Sequence, residues 1–177
     1  AGKTEGEKIM KRIAPLSALL PLALAFLFSG IATSAQDQPQ AKIQASSIQI
    51  LMVQSDEVKL PIAFQLALYE NLIEQVQKSN KFQHVYRDGD TAAAGAADLV
   101  ILHSNVYGFK QGSEEKRQVT TVAGATQIKV HCLFTDKSGK SELAQDVTGN
   151  VRFIGGNLRA TFDFAKKVTQ LIITNFQ

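Results

Sequence analysis

The sequence predicts a single α+β domain: one mixed, mainly antiparallel sheet with two long helices on one face, in the order β-α-β-β-β-β-α. Three observations carry this. Apolar residues recur with helical spacing in two separate stretches, from Leu60 to Val76 and from Leu158 to Phe176. Between them, Ile128, Val130, Cys132 and Phe134 alternate with Gln127, Lys129, His131 and Thr135, the period of a half-buried strand. Finally, 177 residues at 45% hydrophobic and 20% charged suffice for one packed core and exclude a wholly disordered chain.

The elements follow in order. Residues 47–53 (Ser-Ile-Gln-Ile-Leu-Met-Val) make the first strand, and Asp56 is placed to cap the helix that follows, with Pro61 tolerated only in its first turn. Leu60, Phe64, Leu68, Leu72 and Val76 form that helix's apolar stripe, widened by Ala67 and Ile73, while Glu70, Glu74 and Lys78 lie off it. A short strand at 82–87 ends at Asp88-Gly89-Asp90, and the alanine-rich 91–97 makes one helical turn. The run Leu99-Val100-Ile101-Leu102 is apolar on both faces, as a central strand requires, and the strand continues to Phe109. Residues 110–118 are polar and read as a loop. The strand at 127–135 turns at Asp136-Lys137-Ser138-Gly139 and returns through Leu143, Val147, Val151 and Phe153. Gly155-Gly156 ends it, and Asn157 is placed to cap a last helix whose apolar face is Leu158, Phe162, Ala165, Val168, Ile172 and Phe176.

The first 35 residues read as an address. Met10-Lys11-Arg12, an apolar run over 13–28 and the small-residue exit Ser29-Gly30-Ile31-Ala32-Thr33-Ser34-Ala35 are the three parts of a secretory signal peptide over residues 10–35, cut between Ala35 and Gln36. Pro15 and Pro21 interrupt the run, which is short of the ~20 residues a membrane span needs, so no span is expected after cleavage. Residues 1–9 are expected to be a mistranslated upstream segment. Glu5-Gly6-Glu7-Lys8-Ile9 would be encoded by a purine-rich run resembling a ribosome-binding site. A flexible neck is expected over 36–45, and the domain over 46–177. Residues 1–35 hold four basic and two acidic side chains, so the rest carries +1 of the whole chain's +3. That is too little for a nucleic-acid binder, which needs a strong basic face.

Candidate chemistry is sparse. Cys132 is the sole cysteine, so no intrachain disulfide forms, and no cysteine follows the apolar run to take a lipid anchor; the product is expected in the periplasm or secreted, not lipid-anchored. His131 alternates out of the core while Cys132 alternates into it, which argues against a Cys–His nucleophile pair. His84, His103 and His131 lack metal-ligand spacing; no metal, cofactor or catalytic residue is assigned. There is no phosphate loop, dinucleotide fingerprint or nucleophile elbow. His103, Asn105 and Tyr107 share a strand and are the basis of one alternative, a secreted hydrolase. A small-ligand carrier with an enclosed pocket is another. The charged run Glu114-Glu115-Lys116-Arg117, with Lys110 and Gly112 before it, reads as a solvated tip and, more sharply, as a partner-facing loop.

From Ala97 onward the chain resembles the bacterial envelope family known as domain of unknown function 4410. The residues that carry this are Ala97-Asp98-Leu99, Gly112, Arg117, Gly124 leading the alternating strand Ile128 to Phe134, and Asp136 with Gly139. Ser104 stands where that family often has glycine. More distantly, the element order is similar to the periplasmic domain of the curli secretion channel and the N-terminal domain of TolB. The resemblance implies a non-enzymatic module that binds another envelope protein, with no catalytic residues to carry over. Its docking surface is expected at the outer strand edge of the sheet or at the 110–118 loop.

Overall fold

The computed structural model describes residues 42–119, 124–151 and 155–177. The upstream segment, the leader, its cut site and the neck as far as residue 41 lie outside the described residues, as does Phe153. The elements are β1 (Ser47–Ile50), α1 (Ile62–Lys78), β2 (His84–Tyr86), a 3-10 turn (Thr91–Gly95), β3 (Leu99–Lys110), α2 (Glu114–Val119), β4 (Thr126–Thr135), β5 (Ser141–Val151) and α3 (Arg159–Asn175). The α+β class and the order of strands and long helices are those the sequence predicts.

One sheet runs β2-β1-β3-β4-β5. The short β1 pairs in parallel with β2 and β3, while β3–β4 and β4–β5 are long antiparallel ladders. The central position of β3 explains why Val100 and Leu102 are buried and Leu99 and Ile101 are covered too. Where β3 meets β4, the register steps between Val106 and Gly108, leaving Tyr107 as the extra residue. This bulge lets Val106 and Phe109, three apart, both face the core.

The core is one continuous cluster between sheet and helices. Ile48 and Ile50 from β1, Leu102 and Val106 from β3, Ile128 to Phe134 at alternate positions from β4, and Val147 from β5 meet Phe64, Leu68, Leu72 and Val76 of α1 and Phe164, Val168 and Ile172 of α3. Phe134, Phe164 and Phe176 are fully buried, each contributing about 1.5–3 kcal/mol by leaving water. Gly149 sits where α3 crosses β5: a Cβ there would lie 2.2 Å from the Ala160 carbonyl oxygen.

Four local expectations need correction. Asp56 does not cap α1; it sits in a turn, and Pro61 occupies the cap position, where its missing N–H costs nothing. Asn157 does not cap α3, whose cap residue is Leu158; its side chain is used elsewhere, as described below. Leu158 and Phe162 are exposed, at 44% and 42%, and Thr161 and Phe164 fill the α3 face instead. The end of the expected neck is tied down: Ile43 donates to Asn175 O (2.8 Å) and accepts from Gln177 N–H (2.9 Å), and Ala45 is buried. Gln177 thus clamps the entry to β1.

Candidate functional site

Two surfaces anticipated from the sequence can be built residue by residue, beginning with the 110–118 segment. Much of it is a short helix, α2, anchored from beneath. Arg117 is only 5% exposed. One guanidinium nitrogen donates to Gly124 O (2.6 Å) and reaches the Thr126 hydroxyl (3.5 Å), and the other donates to Gly155 O (2.8 Å). Thr126 Oγ1 accepts from Gly112 N–H (3.0 Å) and donates to Asn157 Oδ1 (2.6 Å). Glu114 closes the ring, accepting from Asn157 N–H at 3.1 Å while standing 3.9 Å from Arg117.

The solvated-tip reading therefore fails for Arg117, which fastens the β3–β4 connection to the start of α3. A buried guanidinium needs acceptors, and carbonyls at Gly124 and Gly155 supply them to its two terminal nitrogens where the backbone turns sharply, while Nε is buried with no hydrogen-bond partner among the described residues. Glycine is required at 112 and 124. A Cβ on Gly112 would fall 1.8 Å from Gly124 O, and Gly124 has φ +99° and meets Ser113 O. Glu115, Lys116, Gln118, Lys110 and Val119 remain exposed on this fastened helix and its approach.

The helix-free face of the sheet carries the other polar group. His131 Nδ1 lies 2.7 Å from Asp146 Oδ1 across β4–β5, and the Tyr107 phenol stands near enough to Asp146 to feel its charge. The His131 hydrogen bond holds the Asp146 carboxyl below the usual range, and partial desolvation followed by the nearby Asp146 charge raises the Tyr107 phenol. His103 is not part of this cluster: its ring meets the Thr135 hydroxyl at 3.3 Å. Asn105 is the register partner of His131, and its Oδ1 is buried without a hydrogen-bond partner. His103 and Asn105 share one face of β3, with Asn105 opposite His131, and the structure brings Tyr107 toward Asp146, a residue that sequence order did not associate with it. Cross-strand register sets His131 opposite Asp146, and counting back from the hairpin at Asp136 misses the pair by one residue, because the bulge between Phe134 and Thr135 shifts the ladder.

Cys132 is fully buried, and burial pushes its thiol up to about 12, the Ser104 contact offsetting only part of this. It is a small core residue, not a thiolate nucleophile. Among the described residues, no cluster of three or more His, Cys, Asp or Glu is placed to hold a metal, and no helix is long and apolar enough to cross a membrane.

The sheet ends in edges of unequal length. On one side is β2, three residues long; on the other is β5, with eleven. Beside β5 runs an open groove of about 470 Å³ between the strand and α3, lined by Gln145, Val147, Leu171 and Thr174 among others.

No family model matches the chain, and no curated protein does. Solved structures do. PelC from Paraburkholderia phytofirmans, a dodecamer, matches at TM-score 0.55 and 14% identity, covering 75% of this chain and 89% of that one. A variant of the same protein matches at 0.54 and 12%, covering 79% and 94%. A minor lipoprotein from Acinetobacter baumannii is more distant, at TM-score 0.40 and 11% identity, covering 77% and 93%. At these identities the PelC match is one of fold.

Proposed function

We propose that the chain is a non-enzymatic module of the bacterial envelope that works by contact, binding another envelope protein after export to the periplasm. One observation carries the reading: a sheet covered by helices on one face ends in a long strand, β5, whose outer edge no other strand among the described residues pairs. An unpaired edge of that length is a template for another chain, and proteins with no use for one generally shorten or cover it. The fastened α2, with Glu115, Lys116 and Val119 outward, is the second projection available to a partner. The signal-peptide pattern of residues 10–35 supports delivery to the periplasm. Release without a lipid anchor rests on the lack of a cysteine after the apolar run. The PelC chains, of the same fold and solved as dodecamers, are an instance of this architecture in an assembly.

The test is copurification from envelope extracts of the producing bacterium. A reproducible partner is expected, and it should be lost when the β5 edge or the outward residues of α2 are altered while circular dichroism is unchanged. If every captured protein survived both alterations, the assignment of these surfaces would be wrong.

A further inference from the structure

Resting on that contact reading, we infer that one stretch of β5, from Ala144 to Thr148, takes an extended strand of a partner bearing apolar side chains at alternate positions and a lysine or arginine opposite Asp146.

The backbone fixes the stretch. In an antiparallel ladder, alternate residues turn their N–H and C=O toward one neighbour or the other. Two side chains of α3 show which residues of β5 face outward: Lys167 Nζ donates to Thr148 O (2.8 Å), and Asp163 Oδ2 accepts from Asn150 N–H (2.9 Å). The even-numbered residues therefore point away from β4. Beyond Thr148 O the edge is already capped by this Asp163–Lys167 pair, itself closed at 2.7 Å. At the other end, the register step between Phe134 and Thr135 makes a bulge around Glu142 that breaks the ladder. Between these limits stand Ala144 N–H and C=O, Asp146 N–H and C=O, and Thr148 N–H. Among the described residues no strand takes them, and the one hydrogen bond to them is a long one from Gln145 Nε2 to Asp146 O (3.5 Å). Five consecutive backbone groups accept one added antiparallel strand.

The side chains fix its chemistry. Residues of an added strand opposite Gln145 and Val147 point into the groove beside α3, where Val147 is buried and Leu171 half-buried, which favours apolar groups. The residue opposite Asp146 stands beside an exposed carboxylate on the helix-free face, and opposite charges directly across a ladder are favourable. A second copy of this chain suits the edge less well. Pairing the outward residues of two β5 strands about Gln145 would set the two Asp146 side chains diagonally across the seam.

The probe is an acetylated nonapeptide with valine at every second position and one central lysine, titrated into the full chain purified from cells that express it with its own leader, and followed by amide NMR. The amides of Ala144, Asp146 and Thr148 should shift and gain hydrogen-exchange protection, and those of Leu143, Gln145 and Val147 should not gain protection. Glutamate for the peptide lysine, or Asp146→Asn in the protein, should weaken binding about tenfold. N-methylation of the peptide's edge-facing amides should abolish it. Ala144→Pro should abolish it too with the fold intact, because that N–H lies outside the ladder. Equal binding by the N-methylated peptide, or shifts confined to another surface, would overturn the inference. So would self-association removed by Ala144→Pro in a chain that ignores the peptide, which would make the occupant a second copy. A partner copurified with the chain but indifferent to Ala144→Pro would overturn the edge assignment while leaving the contact reading standing.

Discussion

Arg117 shows how one residue can be visible in a sequence and still be misjudged. It stands in the run Glu114-Glu115-Lys116-Arg117, whose composition is that of a solvated tip, and the other three residues are exposed, although Glu114 also accepts from Asn157 N–H. Arg117 does not, because its partners are carbonyls at Gly124 and Gly155, which composition cannot reveal. The hint lay in the order Gly112, Arg117, Gly124 in the sequence: two glycines that let backbone approach backbone, and a cation that binds what they expose. Arg117→Ala should destabilise the protein by about 3 kcal/mol, since it strands the carbonyls of Gly124 and Gly155. Arg117→Lys should recover little of that, as an ammonium cannot bridge both turns at once. Urea unfolding of the two variants measures both effects. A loss below about 0.5 kcal/mol for the alanine variant would mean that the clamp is incidental.

At the scale of elements, the long helices and β3 to β5 were legible because each buries a continuous stripe or alternating face, and burial imposes its period on the sequence. The caps and the partition of polar residues were not. Asp56 and Asn157 are sound cap residues in sound places, but Pro61 opens α1 with its own fixed φ, and Asn157 accepts from Thr126 instead. Tertiary hydrogen bonds outbid local ones there. The exposed Phe162 has the same cause. It satisfies the apolar period of α3, yet Gly149 admits the helix so closely at Ala160 and Phe164 that the buried face turns toward Thr161 and Phe164. Gly149→Ala should therefore cost about 1–3 kcal/mol by forcing α3 off β5. It should also raise amide exchange at Asn150, whose N–H is held by Asp163 of that helix. Wild-type stability in that variant would show that the crossing has slack.

For the whole molecule, acid is the direction of weakness. Hydrogen bonds from Arg87, Ser138 and His131 respectively hold the carboxyls of Glu70, Asp136 and Asp146 below their ordinary values of 4.5, 3.8 and 3.8. A carboxyl depressed in the folded state stabilises the fold above its unfolded value and loses that contribution as pH falls through the folded one. The melting temperature should be level near neutrality and fall below about pH 4. Asp136→Asn should flatten part of that slope, and an unchanged slope would place the acid sensitivity elsewhere.

The account as a whole holds that a self-filled core supports a surface whose work is adhesion through the open side of β5. A photo-crosslinking residue at Gln145, installed in the chain within the producing bacterium, reports on this without purification or a guessed partner; the same residue at Glu74, exposed on α1, is the control. The account predicts a discrete adduct with one envelope protein from position 145, abolished by Ala144→Pro, and none from position 74. Identical adducts from both positions, or none from 145, would contradict it.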